Sequence, residues 1–457
     1  MLRINPYDAV CMLFPIAVDA RLAGPLIPAE FSRAVKLLSQ KHQYPLQYKV
    51  VSNAEDPRAL FFEGPSSFDL PIEFETRDSL SSDFEVVMTD LHRGISRPDG
   101  VLRFHVLSAG DQHELIVLTE HCYDGRAAIT LVDDLLRLLA DIHHGESPHV
   151  EPLVPIDINK VLPLDALAKL VFPRATPEPY LQLPALPATT NPPSDSRRQN
   201  LRVCVFDEDK TRRLVEACRA HGASVQAAIN VAVGIATYRM QGYPPLWNPT
   251  TDPTPQPAPV PAGPITVQAQ CVADIRPLLS GLEGASPLSG NVTGALRWAD
   301  HIDPDEDIWL AAARQKRRIQ ENMASGQVHA LRVLISPALG PAAQMAGSIW
   351  LQAAPTYGPS NVGVVPIQER YGPFAVHEVV DTFKYDHLPA LAIPCEVLTF
   401  AGRLHLNFLW VAPFYSAPFA NRFADGAVAA LEAMIGHDDP ERPLLTRALM
   451  MWEPSRP

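Results

Sequence analysis

Long apolar runs, clustered basic residues and closely paired cysteines are all missing from this 457-residue chain. No stretch approaches the 18 or so consecutive apolar residues that a spanning helix needs, so none is expected. The start, Met1-Leu2-Arg3, leads into apolar residues, but Asp8 and Asp19 interrupt them and no small-residue cleavage pattern follows. A soluble, unexported, cytoplasmic protein is the expectation. Basic residues number 38 against 51 acidic ones, a formal charge of −13. With no local basic patch to offset that charge, phosphate backbones are repelled and nucleic acid is excluded as a partner. Six cysteines (Cys11, Cys122, Cys204, Cys218, Cys271 and Cys395) show no CxxC spacing, and most lie in apolar runs, as buried thiols do. No GxGxxG or P-loop follows a strand, which leaves nucleotide chemistry without support. His42, His105 and His113 lack ligand spacing, and His143-His144 ends a helix, where cations suit the dipole. No metal site is expected.

Proline, by contrast, is abundant: 46 residues, about twice the usual share. With 47% apolar and 19% charged residues, the rest of the composition is ordinary for a globular chain and excludes coiled coil, collagen and wholesale disorder. At about 150 residues per domain, the length allows three domains or two large ones. Seven prolines fall within 172–200 and nine within 243–264. Such stretches lack regular backbone donors and favour extended conformations. The first reads as a crossover linker and the second as a long loop between a helix and a strand. The expected division is therefore an N-terminal subdomain over 1–171, the crossover over 172–200, and a C-terminal subdomain over 201–457.

Apolar spacing predicts helices over 28–40, 127–142, 207–221, 224–238, 305–322 and 416–435, several opening on Ser, Asp or Pro. Strands are expected at 47–52, 59–63, 101–107, 114–119, 201–206, 265–272, 396–400 and 404–411. Short glycine-containing connections join 101–107 to 114–119 and 396–400 to 404–411, as in hairpins. Both halves mix helices with strands, which implies an α/β fold of two related subdomains.

One segment carries chemistry: Leu118-Thr-Glu120-His121-Cys-Tyr123-Asp124-Gly125-Arg126. A histidine ends a buried strand, an Asp-Gly turn follows, and an amphipathic helix begins. Strand and helix together hold such a loop against the scaffold. A neutral imidazole there can take a proton from a hydroxyl or amine. Asp124 can fix the loop through backbone or an arginine, and Gly125 permits a positive φ. On spacing alone, a backbone-bonded histidine before an ordinary helix cap explains the segment as well.

Further landmarks extend the pattern: Leu37-Leu-Ser-Gln-Lys-His42, the helices around Gly222-Ala-Ser, Asp274-Ile-Arg276-Pro277, Gly290-Asn291 and Ser360-Asn361-Val362-Gly363. In this order and spacing the whole chain resembles the chloramphenicol-acetyltransferase-like superfamily, which includes plant BAHD acyltransferases, polyketide-associated acyltransferases, alcohol acetyltransferases and condensation domains. The resemblance implies two subdomains of mixed sheet and helix around a central tunnel. It further implies an acyltransferase that moves an acyl group from a coenzyme A or carrier-protein thioester to a hydroxyl or amine of a specialised metabolite. No tightly bound cofactor and no covalent intermediate are implied, the thioester being a co-substrate. The expected partners are the small-molecule acceptor and a possible acyl carrier protein, with the enzyme itself a monomer. The family's DFGWG segment, typical of BAHD members, has no counterpart, since the comparable region reads Val380-Asp381-Thr-Phe-Lys.

One departure bears on activity. In the family's HHxxxDG pattern the second histidine is the base and stands four residues before the aspartate. Here His121 stands three before Asp124, and Glu120 occupies the four-residue position. A one-residue slip changes the face a strand-end side chain occupies. The resemblance implies His121 as base, with Glu120 the competing candidate and Asp124 structural. Histidine needs no tuning to act near neutrality, whereas glutamate needs its pKa raised. Tyr123, Ser360 and Asn361 are candidates for substrate contact, the last two as oxyanion donors or as a self-bonded turn. Arg276 resembles the family's structural arginine and is a candidate partner for Asp124. Lys316-Arg317-Arg318 reads as a solvated helix face or a phosphate contact. The altered motif leaves open a non-transferring enzyme, such as a cyclase or pericyclase, or a degenerate binding protein on the same fold.

Overall fold

The computed structural model describes residues 2–3, 15–52, 60–63, 69–81, 84–93, 101–119, 123–153, 180–184, 186, 192–253, 259–278, 292–329, 356–386, 392–436 and 445–451. Two six-stranded sheets organise them. The first contains, in spatial order, β12 (Arg370–Tyr371), β13 (Phe374–Phe383), β2 (Ile16–Ala23), β7 (Gln112–Thr119), β6 (Leu102–Ala109) and β5 (Ile72–Thr76). The second contains β10 (Thr293–Ile302), β9 (Ile265–Asp274), β11 (Ser360–Val364), β14 (Cys395–Phe400), β15 (Arg403–Ala412) and β8 (Arg198–Phe206). A small sheet pairs β1 (Leu2–Arg3), β4 (Leu60–Glu63) and β3 (Lys49–Ser52). Most ladders are antiparallel, while β5 runs parallel to β6, and β11 parallel to β14 and β9.

Local sequence explains the elements. The β6–β7 hairpin turns at Gly110, whose φ is 66°, and the β14–β15 hairpin turns at Ala401 and Gly402, with φ of 49° and 73°. Positive φ at both Ala401 and Gly402, and at Gly110 as the first central residue of the other turn, gives the turn hand that matches the twist of two strands. Side chains of Asp124, Asp207, Ser224, Asp307 and Ser416 accept first-turn backbone N–H groups of the helices Gly125–His143, Glu208–Ala220, Val225–Arg239, Ile308–Ala324 and Ala417–Ile435. Each contact satisfies a donor that a helix start leaves open. Pro28 opens the helix Pro28–Lys41, where its missing N–H costs nothing.

The helices Pro28–Lys41 and Gly125–His143 bury Phe31, Val35, Leu38, Leu131, Leu135 and Leu139 in one core with the first sheet. On the opposite face, the helix Glu85–Arg93 packs Val87 and Leu91 on Ile116, Leu118 and Val380. The second sheet shares a separate core with the helices Glu208–Ala220, Val225–Arg239, Ile308–Ala324, Ala417–Ile435 and Leu445–Met451. Within it, the helix Val225–Arg239 is apolar nearly all round and buried nearly all round, as its Ala, Val and Ile content requires. Its Asn230 donates to Gln315, which donates to the Tyr357 hydroxyl, so these three buried polar side chains satisfy one another.

Chain order and sheet order part company at β12 and β13, which lie late in the sequence yet complete the first sheet beside β2. The return lays β13 along β14 and β15 at the seam between the two sheets. Cys204, Cys218, Cys271 and Cys395 are free thiols. Among the described residues, no helix is long and apolar enough to cross a membrane, and no cluster of His, Cys, Asp and Glu is placed to hold a metal.

Candidate active site

Strand β7 ends at Thr119 and the helix Gly125–His143 begins six residues later, with Asp124 at its N-cap. Asp124 is 3% exposed and its carboxylate serves three donors. Oδ1 accepts the Ala127 N–H at 2.9 Å; Oδ2 accepts Arg276 Nη2 at 2.9 Å and the Val292 N–H at 2.8 Å. Arg276 also donates through Nη1 to Asp274 Oδ1 at 2.9 Å. Burial works against the charge on Arg276, but Asp124 and Asp274 outweigh it and hold the guanidinium protonated. Arg276 follows β9 and Val292 precedes β10, so one side chain fastens the turn after β7 to the second sheet.

A second fastening lies beside it. Arg126 donates to the Val362 carbonyl at 3.0 Å. The Asn361 side chain accepts the Gly363 N–H at 2.8 Å, closing a turn in which Gly363 has φ of 78° and the β11–β14 register slips. The slip brings Val362 onto Gly125: a Cβ there would stand 3.2 Å from Val362 Cγ1 and 3.5 Å from Asp381 Oδ2. Gly125 is the first helical residue and its φ is not positive. Glycine here accommodates a close approach and not a positive φ, which corrects the expectation of a left-handed turn.

Next to this turn lies a row of polar side chains. Register places Ser360 opposite Glu396, and Glu396 opposite Asn407, so the three share one face of the second sheet. Asn407 Nδ2 donates to the Asp381 carbonyl at 3.0 Å and to Asp381 Oδ1 at 3.3 Å, across the seam to β13. Burial pushes the Asp381 carboxyl up to about 7, against the pull of its own N–H and of Asn407. Burial also pushes Glu396 well above the carboxylate range; the negative charge of Asp381 adds to this, and the Ser360 hydroxyl opposes it. Along the same face of β15, His405 is buried with neither ring nitrogen bonded among the described residues, and burial followed by the charge of Arg403 lowers it to about 4.

No protein-family profile and no curated protein matches the sequence. Solved structures do match the fold. Polyketide synthase associated protein 5 from Mycobacterium tuberculosis aligns over 95% of this chain and 98% of its own, with a TM-score of 0.63 at 14% identity. The trichothecene 15-O-acetyltransferase from Fusarium sporotrichioides aligns over 94% of each chain, with a TM-score of 0.66 at 12% identity. The epimerization domain from the third module of tyrocidine synthetase B aligns over 94% of this chain and 93% of its own, with a TM-score of 0.66 at 12% identity. The chain has the chloramphenicol-acetyltransferase-like fold.

Within the chloramphenicol-acetyltransferase-like fold, the residues singled out from sequence fall into three groups. Asp124, Gly125 and Arg276 come together at the seam, with Asn361 one turn away. Ser360 is half-buried beside Glu396, and Tyr123 is buried in the core of the first sheet. His121, Glu120 and Gly290-Asn291 lie outside the described residues. Asp381, Glu396 and Asn407 were not among the sequence candidates. Their signal was a carboxylate or amide set within an apolar strand run, as in Cys395-Glu396-Val-Leu and Val379-Val380-Asp381.

Proposed function

We propose that the chain is an acyltransferase that moves an acyl group from a coenzyme A or carrier-protein thioester to a hydroxyl or amine of a specialised metabolite. The observation that carries this reading is the fastening of Asp124, three residues after His121 in sequence, to the second sheet, within a fold shared with an O-acetyltransferase. In this reading His121 takes the proton from the acceptor as it attacks the thioester carbonyl. With both substrates held together, proximity and base catalysis suffice and no covalent intermediate forms. Ser360 donates to the oxyanion, Tyr123 and Asn361 shape the substrate surround, and Asp124 and Arg276 hold the turn. Glu120 is the competing base. The co-substrate is the acyl thioester, the compartment cytoplasmic and the enzyme monomeric.

Incubation with a panel of acyl-coenzyme A donors and candidate acceptors, with free thiol release as readout, tests the reading. Wild type is expected to release thiol, and His121→Ala to lose about a hundredfold or more in kcat. Unchanged turnover in His121→Ala with loss in Glu120→Gln would move the base to Glu120. A second reading rests on the three-residue spacing from His121 to Asp124: the same fold turned to a non-transferring reaction. The epimerization domain is a precedent by name for chemistry other than acyl transfer. No thiol release from any donor supports that reading.

A further inference from the structure

Behind Ser360 lies a buried acidic group that base catalysis at His121 does not use. Glu396, Asp381 and Asn407 are 7%, 2% and 0% exposed, and Ser360, half-buried, stands at the accessible end of the row. Among the described residues, no cationic side chain pairs with either carboxyl, and the Asn407 side-chain carbonyl has no donor. Two bare carboxylates in so dry a place repel each other, and an unpaired buried acceptor is costly. A bound proton relieves the repulsion, and it makes a carboxylic acid a donor as well as an acceptor.

We propose that Glu396 is a positioning residue: protonated, it donates to the Ser360 hydroxyl oxygen and so frees the Ser360 O–H to point at the acyl oxyanion. The inference rests on the role given to Ser360 above. When Glu396 is ionised the direction reverses, since the carboxylate accepts from Ser360 and withdraws the hydroxyl from the substrate. The groups that face Glu396 are Ser360 from β11, Asp381 from β13 and Asn407 from β15. One step further along β15 stands the uncharged His405, and beyond it Arg403, which donates to the His377 carbonyl and lies over the Phe400 ring. Asp124, on the other side of Gly125, is neutralised by Arg276. Burial, and then the charge of Asp381, favour the protonated form of Glu396.

Two measurements on the full chain test this. In the pH profile of kcat, wild type is expected to lose activity as pH rises above neutrality. Glu396→Gln, whose amide donates to Ser360 at every pH, loses that limb; Glu396→Ala lowers kcat roughly tenfold or more throughout, with little change in KM. Independently of turnover, infrared spectra at pH 7 should contain a protonated-carboxyl band that disappears in Glu396→Gln and moves to higher frequency in Ser360→Ala. A missing band, a band indifferent to both substitutions, or a high-pH limb that survives in Glu396→Gln overturns the inference. If wild type transfers from no donor, the acyltransferase reading falls on its own, and the band's response to the two substitutions still decides the state of the pair.

Discussion

At Asp124 one carboxylate closes a helix, neutralises a buried arginine and binds the backbone N–H of Val292. Removing it takes from Arg276, whose side chain is 10% exposed, one of the two carboxylates paired with it among the described residues, the other being Asp274. Stranding a buried charge costs about 3–5 kcal/mol. Asp124→Ala is therefore expected to lower the urea-derived unfolding free energy by about that much, and Arg276→Met in the same chain to recover part of the loss. Strictly additive losses would show that the two side chains are not coupled. This pair was legible in sequence because Asp-Gly before an amphipathic helix and Asp-Ile-Arg-Pro after a strand each restrict what those residues do. Glu396 and Asp381 were not legible in the same way. A carboxylate in a strand normally marks a solvent face, and only the return of β13 to the seam covers both faces here.

Elements were legible where local chemistry punctuates them. Five of the helices carry an N-cap side chain that the sequence displays, and both hairpin turns carry their glycine. Strands β2 and β13 were passed over for a physical reason. Asp19 and Arg21 interrupt the apolar run of β2, and the register shift between Val376 and Glu378 breaks the two-residue alternation of β13. Two glycines set element spacing in different ways. A Cβ at Gly125 would meet the Val362 side chain at 3.2 Å, which a small rotation relieves. A Cβ at Gly294 in β10 would stand 2.1 Å from the Val328 carbonyl oxygen, and only a shift of backbone relieves that. Overpacking costs typically about 1–3 kcal/mol. Gly125→Ala is expected near the lower end, and Gly294→Ala at about 3 kcal/mol or above, by urea denaturation. Equal losses at the two positions would contradict the distinction between yielding side chain and fixed backbone.

For the whole molecule, Asp381 and His405 titrate in opposite senses at the seam, and Glu396, raised by burial and then by the charge of Asp381, adds to the sense of Asp381. Asp381 rises from 3.8 to about 7, because burial outweighs its hydrogen bonds. Between those values the folded chain holds a proton that the unfolded chain has released, so stability is fully present below about pH 4 and is lost as pH rises towards 7. His405 moves the other way, from 6.5 to about 4, through burial and then the charge of Arg403. There the unfolded chain binds the extra proton, so stability is fully present above about pH 6.5 and is lost as pH falls towards 4. Each of these two shifts is worth about 3–5 kcal/mol at one unit per 1.4 kcal/mol, so over pH 4 to 6.5 their slopes oppose each other. Substitution separates them. Relative to wild type, Asp381→Asn should shift the slope of stability against pH towards a gain with rising pH across that window, and His405→Gln should shift it towards a decline. Urea midpoints from pH 4 to 7 measure both, with the other ionising groups common to all three chains. Parallel curves would mean that neither group titrates at the seam, and parallel curves for Asp381→Asn alone would remove the carboxyl from the charge balance while leaving the buried imidazole in it.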